Sequence, residues 1–142
     1  MEKSNFEDIN KNDFGDAANC PVRMVIDRIG GKWTMLTLIM LHRKGKMRFN
    51  DIKREIGEIS QKMLTQTLRV LEADSYITRK AYPEIPPRVE YELTDLGRSI
   101  VPILDSLAYW ALNNMDAIVK SRTKYKTPEN QWQKEREFTR VN

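Results

Sequence analysis

The sequence predicts a mainly α-helical domain with one small β-hairpin and a long last helix. Three observations carry this. Apolar residues recur at helical spacing in successive stretches between Pro21 and Ala73. The period changes from 3.6 toward 2 after Tyr76 and returns to helical spacing at Thr94. At 142 residues, the chain is long enough for one domain with a single core, too short for a two-domain enzyme, and has room for extensions at its ends.

Residues 1–18 are polar and aperiodic and read as a loose acidic arm. Pro21, after Cys20, suits the first position of a helix whose stripe is Val22, Ile26 and Ile29. Gly30 and Gly31 end it. Lys32 to His42 follows as a helix apolar on most sides, through Trp33, Leu36, Leu38, Ile39, Met40 and Leu41, which belongs in the core. Lys46 to Phe49 alternates basic and apolar and suits a short strand. Phe49, Ile52 and Ile56 share one face of a third helix, closed by Gly57 as a left-handed C-cap.

The next stretch, from Ile59 to Thr78, organises the rest. Ser60 is an N-cap, and Leu64, Leu68 and Leu71 form the apolar stripe of a helix of about three and a half turns. The opposite face collects Gln61, Lys62, Thr65, Gln66 and Arg69, none acidic, with Glu72 and Asp74 falling only after it. Gln and Arg can each make paired hydrogen bonds to a purine edge, Lys and Thr serve phosphates and bases, and Ser60 at the helix start is counted with them as a DNA contact. The face therefore suits nucleic acid, against the plainer reading of a solvated outer face. A helix, a short Gly-containing turn and a second helix match the helix-turn-helix plan.

Ile77 to Tyr82 and Arg88 to Leu93 read as two strands, the second with Val89, Tyr91 and Leu93 inward and Arg88, Glu90 and Glu92 outward. Pro83, Pro86 and Pro87 make the intervening tip stiff. A hairpin directly after a helix-turn-helix makes a winged helix. Arg88 at its base can reach a phosphate or the minor groove, with Lys46 and Arg48 as further phosphate contacts, or Arg88 can form an exposed cross-strand ion pair. Thr94 caps a helix running to about Val119, nearly 40 Å at about 1.5 Å per residue, with Ile100, Leu104, Leu107, Ala111 and Met115 in register and a kink expected at Pro102. That length exceeds what the domain's own core needs. It implies a homodimer seam built from Leu104, Leu107, Trp110 and Ala111, with Val22 and Ile26 of the first helix against it; the alternative is a helix folded back on its own domain. The resulting division is 1–18 arm, 19–119 winged-helix domain with dimerisation helices, and 120–142 charged extension.

Charge supports this reading in its distribution more than in its net +4. Residues 1–20 carry two basic and five acidic side chains, 43–98 carry twelve and nine, and 120–142 carry seven and three. One cysteine excludes an intramolecular disulfide and a multi-cysteine metal site, and the sequence shows neither a membrane-length apolar run nor a signal pattern, so a cytoplasmic location is expected. Gly30 to Trp33 lacks the spacing of a phosphate loop, because Ile26 and Trp33 stand where Gly and Ser or Thr are required. His42, the one histidine, has no ligand cluster around it, and no nucleophile, base and orienter occur together; no metal, cofactor or catalytic residue is expected. Cys20, at a helix N-terminus, is either a reactive thiolate favoured by the helix dipole or a small apolar residue in the dimer seam. The seven methionines read mainly as core, with an effector pocket as the alternative.

CPV at Cys20–Val22, IGGKW at Ile29–Trp33, RFN at Arg48–Asn50, ISQKMLTQTLRVLE at Ile59–Glu72, YPEIPPRVEYELTDLGRS at Tyr82–Ser99 and the segment Leu107–Trp110 together resemble the HxlR-type bacterial transcriptional regulators, of the wider MarR-like winged-helix group. The resemblance spans about residues 20 to 115, with the motifs in order. It implies a dimeric regulator of double-stranded DNA, most commonly a repressor on a pseudo-palindromic operator, with the helix after Ser60 as recognition helix and Pro83–Arg88 as wing. It also suggests Cys20 as a sensor of oxidants or electrophiles, or a small-molecule effector as the signal. A winged helix serving as a protein-interaction module is the alternative.

Overall fold

The computed structural model describes residues 19–125, which contain five helices and three strands in the order α1 (Pro21–Ile29), α2 (Lys32–Lys44), β1 (Met47–Arg48), α3 (Phe49–Ile56), α4 (Gln61–Ala73), β2 (Ile77–Tyr82), β3 (Arg88–Leu93) and α5 (Asp95–Lys124). The chain divides into two compact units, one ending at Asp105 and one beginning at Ser106. The acidic arm and all but the first six residues of the charged extension lie outside the described residues.

The first unit is built on α2 and α4. Leu38 and Leu41 of α2 are buried with Ile52 of α3 and Leu64, Leu68 and Leu71 of α4, each at most 2% exposed. Full burial of such side chains contributes about 1.5 to 3 kcal/mol apiece. The prediction for α2 is half right. Leu36 is 43% exposed, whereas Thr37, which spacing alone leaves unremarked, is fully buried with its hydroxyl donating to the Trp33 carbonyl at 2.7 Å. That intrahelical bond is what makes a buried hydroxyl tolerable.

Lys46 to Phe49 yields a strand of two residues, but its place differs from expectation. Met47 pairs with Tyr91 and Arg48 with Glu90, so the expected two-stranded hairpin is a three-stranded antiparallel sheet of order β1-β3-β2. Met47, Ile77, Tyr91 and Leu93 close the core from that side. Gly57 ends α3 with a positive φ of 81°, as expected. At ψ −75°, however, it forms a tight turn in which the Glu58 N–H donates to the Ile56 carbonyl at 3.1 Å, not the left-handed helical cap expected, and the chain returns through buried Ile59 to Ser60. Ile59 and Leu64 occupy the two positions of a hydrophobic staple flanking the Ser60 cap, which fixes the angle at which α4 leaves the turn.

At the other end of α4, Ser75 adopts φ 61° and hands the chain to β2. Asp74 there is paired with Arg28 of α1, and that hydrogen bond holds the Arg28 guanidinium above its ordinary pKa. Thr94 caps α5 by accepting the Gly97 N–H at 3.0 Å, while its own hydroxyl donates to the Ser75 carbonyl at 2.6 Å. Gly97 itself is buried against the Tyr76 carbonyl. Pro102 lies inside α5, which runs to Lys124, so residues 120–124 are helix and not the start of an irregular extension. Within the first unit, Val101 and Leu104 of α5 are buried. Leu104, expected in a dimer seam, is thus part of the core of its own unit. In the second unit Leu107, Tyr109, Trp110, Leu112, Met115 and Val119 are exposed.

Candidate nucleic-acid interface

Burial of Leu64, Thr67, Leu68 and Leu71 fixes the rotation of α4 about its axis. The Ser60 hydroxyl, accepting the Met63 N–H at 3.1 Å, fixes its start. Gln61, Lys62, Gln66 and Arg69 are consequently exposed on the opposite side, with Thr65 half-buried between them. These five line one shallow open groove. The Thr65 hydroxyl already donates to the Gln61 carbonyl at 2.8 Å, so toward a ligand it offers its lone pairs and methyl group. Met63, 42% exposed beside this face, was not singled out by the sequence.

The flank of α4 that turns toward the sheet opens onto a second cleft of about 450 Å³. Gln61, Thr65, Leu68, Arg69 and Glu72 line it from the helix, Arg79 and Tyr91 from the sheet, and Phe49 from the start of α3. Two features here differ from expectation. Glu72 borders the same space as Arg69 and does not lie beyond the candidate contacts. Arg79, which sequence reasoning passed over, joins them. Its signal was present: in the alternation of β2 it takes an inward position, on the same face as Ile77, where a cation has no apolar reason to be.

The remaining predicted cations lie around the sheet. Arg48 is exposed and opposes Glu90 in register. Lys46 pairs with Glu92 at 3.6 Å, with both side chains about half exposed, a contact that solvent weakens and DNA could displace. Arg88 is engaged more firmly. Its guanidinium reaches Glu84 at 2.8 Å and Glu90 at 3.6 Å and stacks over the Tyr82 ring at 3.9 Å, with its side chain 26% exposed. Its Nε is buried without a hydrogen-bond partner among the described residues. The predicted outward alternation of β3 therefore holds in exposure for Glu92 alone; Arg88 and Glu90 are half-buried, their ion pairs running along the strand and to the hairpin tip while Arg88 also stacks on Tyr82 opposite it in β2. Arg48 and Arg88 border a further cleft with Asp51 and Glu84, which meets the one beside α4 at Phe49.

Cys20 is the N-cap of α1, its sulfur accepting the Arg23 N–H at 3.5 Å, and it is half-buried. Val22 and Ile26 of the same helix are 47% and 58% exposed. Leu107 and Trp110 are exposed and Ala111 half-buried in the second unit. Among the described residues, no helix is long and apolar enough to cross a membrane.

Two helices joined through a positive-φ glycine, the second capped and presenting amides and cations, followed by a hairpin, define the winged helix-turn-helix class. Comparison with known families gives the same result: the family described as HxlR-like helix-turn-helix matches residues 28–119. The chain belongs to this family and is a transcriptional regulator with a helix-turn-helix domain. An uncharacterised HTH-type transcriptional regulator of Methanothermobacter thermautotrophicus is 52% identical over 99 residues, 69% of this chain and 75% of that protein. Among solved structures, the transcriptional regulator YtfH of Salmonella typhimurium aligns with TM-score 0.67 and 39% identity over 75% of this chain and 95% of its own. The redox regulator HypR in its reduced form aligns with TM-score 0.65 and 41% identity, over 70% of this chain and 98% of its own. Its oxidised form aligns with TM-score 0.61 and 43% identity, over 67% and 97%.

Proposed function

We propose that the protein is a cytoplasmic, sequence-specific DNA-binding regulator that acts as a homodimer on a pseudo-palindromic operator and represses by occupying it. The observation that carries this reading is the recognition face of α4: four exposed residues able to contact bases or phosphates, on a helix whose opposite face is locked into the core. Gln61, Gln66 and Arg69 read base edges, while Lys62 and Arg48 hold phosphates and the Lys46 pair opens to do the same. Arg88 enters through the shape of the wing, because Glu84 and Glu90 already neutralise it.

Dimerisation is supported by unpartnered apolar surface on two elements, Val22 and Ile26 on α1 and Leu107 and Trp110 on α5. Two copies would set their α4 helices in major grooves about 10 to 10.5 bp apart, or a multiple of that. The input we assign is modification of Cys20. Its thiol sits at the start of α1, half-exposed, among residues proposed for the seam, so an adduct or a bond to Cys20 of a second copy would alter how the two recognition helices are spaced. Similarity to a redox regulator solved in both states supports that choice over a small-molecule effector.

The test is a gel shift of the reduced protein on its own upstream DNA, with an unrelated duplex as competitor, repeated after mild diamide. Specific binding lost with diamide, restored by reductant and insensitive to diamide in Cys20→Ser is the expected result. Specific binding indifferent to diamide refutes the cysteine switch and leaves the regulator. Absence of salt-dependent DNA binding refutes direct operator binding and favours a protein-interaction module.

A further inference from the structure

In β2 the side chains of Ile77, Arg79 and Ala81 share one face, opposite Leu93, Tyr91 and Val89 in register. Ile77 is 2% exposed, in the core beneath α4. Arg79 lies two residues on, about 7 Å along the strand, and is exposed. Its side chain enters the cleft of about 450 Å³ that Gln61, Thr65 and Arg69 line from the recognition helix. Neither Arg69 nor Arg79 forms an ion pair with a described carboxylate, although Glu72 borders the same cleft. Both arginines are exposed along one concave space, and the planar guanidinium of Arg79 matches phosphate geometry well. The Gln61 amide also suits a phosphate oxygen, whereas the Thr65 hydroxyl is already donated to the Gln61 carbonyl.

Geometry supplies the anion. With α4 in a major groove, one of the sugar-phosphate strands bordering that groove must run along the helix flank that faces the sheet. We infer that the cleft between α4 and β2 seats a backbone phosphate of the bound DNA, with Arg79 as a phosphate contact that no other observation assigns and Glu72 as a carboxylate that weakens the grip. This inference rests on the proposed DNA-binding function. The contact reads no base, so its effect is the same on every sequence, and it can be measured before any operator is known.

The experiment is a salt series of fluorescence-anisotropy titrations with the full chain on an unrelated duplex and on its own upstream DNA. Wild type is compared with Arg79→Ala, Arg79→Lys and Glu72→Gln, each checked for an unchanged far-UV spectrum. Arg79→Ala should lower the slope of log affinity against log salt by about one unit per subunit contact, on both duplexes alike. Per contact, the loss between 50 and 200 mM salt then becomes about 3.5-fold smaller than in wild type. Arg79→Lys should retain the slope, and Glu72→Gln should tighten binding at low salt. If Arg79→Ala does not fold, Arg79→Gln reads the same quantity with a side chain of similar reach.

An unchanged slope in the charge-removing variant, with steep salt dependence in wild type, overturns the inference and leaves the DNA-binding function standing. Absence of salt-dependent binding by wild type overturns both. Saturable binding of inorganic phosphate that requires Arg79, together with an unchanged DNA slope, assigns the cleft to a free anion and likewise overturns it.

Discussion

Gly97→Ala tests the joint on which the wing is mounted. A Cβ at position 97 would stand 2.0 Å from the Tyr76 carbonyl oxygen and 3.1 Å from a Leu93 methyl. The oxygen belongs to backbone and cannot swing aside, so the first turn of α5 must retreat by about 1 Å or more to reach tolerable contact. That carbonyl also accepts the Thr94 N–H at 3.1 Å, and the Thr94 hydroxyl bonds Ser75 at 2.6 Å and the Gly97 N–H at 3.0 Å. Overpacking costs about 1 to 3 kcal/mol, and loss of two of these bonds about 1 kcal/mol each. The gain in helix propensity offsets about 1 kcal/mol. A net destabilisation of about 2 to 4 kcal/mol is expected. Urea unfolding followed by circular dichroism at fixed protein concentration measures it. Gly31→Ala is the control, because a Cβ there meets only the Thr34 hydroxyl at 3.5 Å; its change should stay within about 0.5 kcal/mol. A loss below about 1 kcal/mol for Gly97→Ala would refute the claim that close approach to Tyr76 holds α5 and the wing together.

Ser60→Ala removes the cap on α4 and should cost about 1 kcal/mol in the same urea assay, with operator and nonspecific affinity falling together. Gln66→Ala should relax discrimination at particular base pairs by about 1 to 3 kcal/mol in a binding series on substituted operators, leaving the salt slope intact; a uniform loss would make Gln66 a positioning contact. Lys62→Ala should do the reverse. With Arg48, Lys62 and Arg79 open and Lys46 released from Glu92 on each of two subunits, the wild-type salt slope should be about −7. Arg88→Ala leaves Glu84 and Glu90 facing each other and should destabilise the protein by about 1 to 2 kcal/mol, discounted for partial exposure, without flattening the salt slope. A slope reduced by about one unit would restore Arg88 as a phosphate contact.

Elements whose boundaries are set by local chemistry were legible in the sequence. Pro21 at a helix start, Gly57 at a C-cap, Ser60 at an N-cap and the prolines between β2 and β3 each impose a backbone conformation on their immediate neighbours, and the structure obeys them. What depends on distant partners was not legible. Met47 and Arg48 alternate as a strand should, yet nothing local states that they pair with Tyr91 and Glu90, more than forty residues away. Leu104 and Leu107 share one apolar stripe and look equivalent; one is 5% exposed and the other 52%, because the core of the first unit ends between them. Glu72 was placed beyond the contact zone by counting along the helix, although at about 100° per residue it returns to the flank of Gln61 and Thr65.

The same distinction bears on how charge serves this fold. Arg79 and Arg88 are both arginines of one hairpin, and counting charge cannot separate them. Arg88 has Glu84 and Glu90 within 4 Å and Tyr82 beneath it, so its charge is spent on making the wing tip rigid. Arg79 has Tyr91 opposite it in register and an open cleft before it, so its charge remains available to a ligand. On the proposed reading an approaching phosphate strand would meet a wing whose Arg88 is internally neutralised and, beside α4, Arg69 of the helix and Arg79 of β2, which are not. The attraction would then be concentrated beside α4, where it would bring Gln61, Gln66 and Arg69 to the base edges.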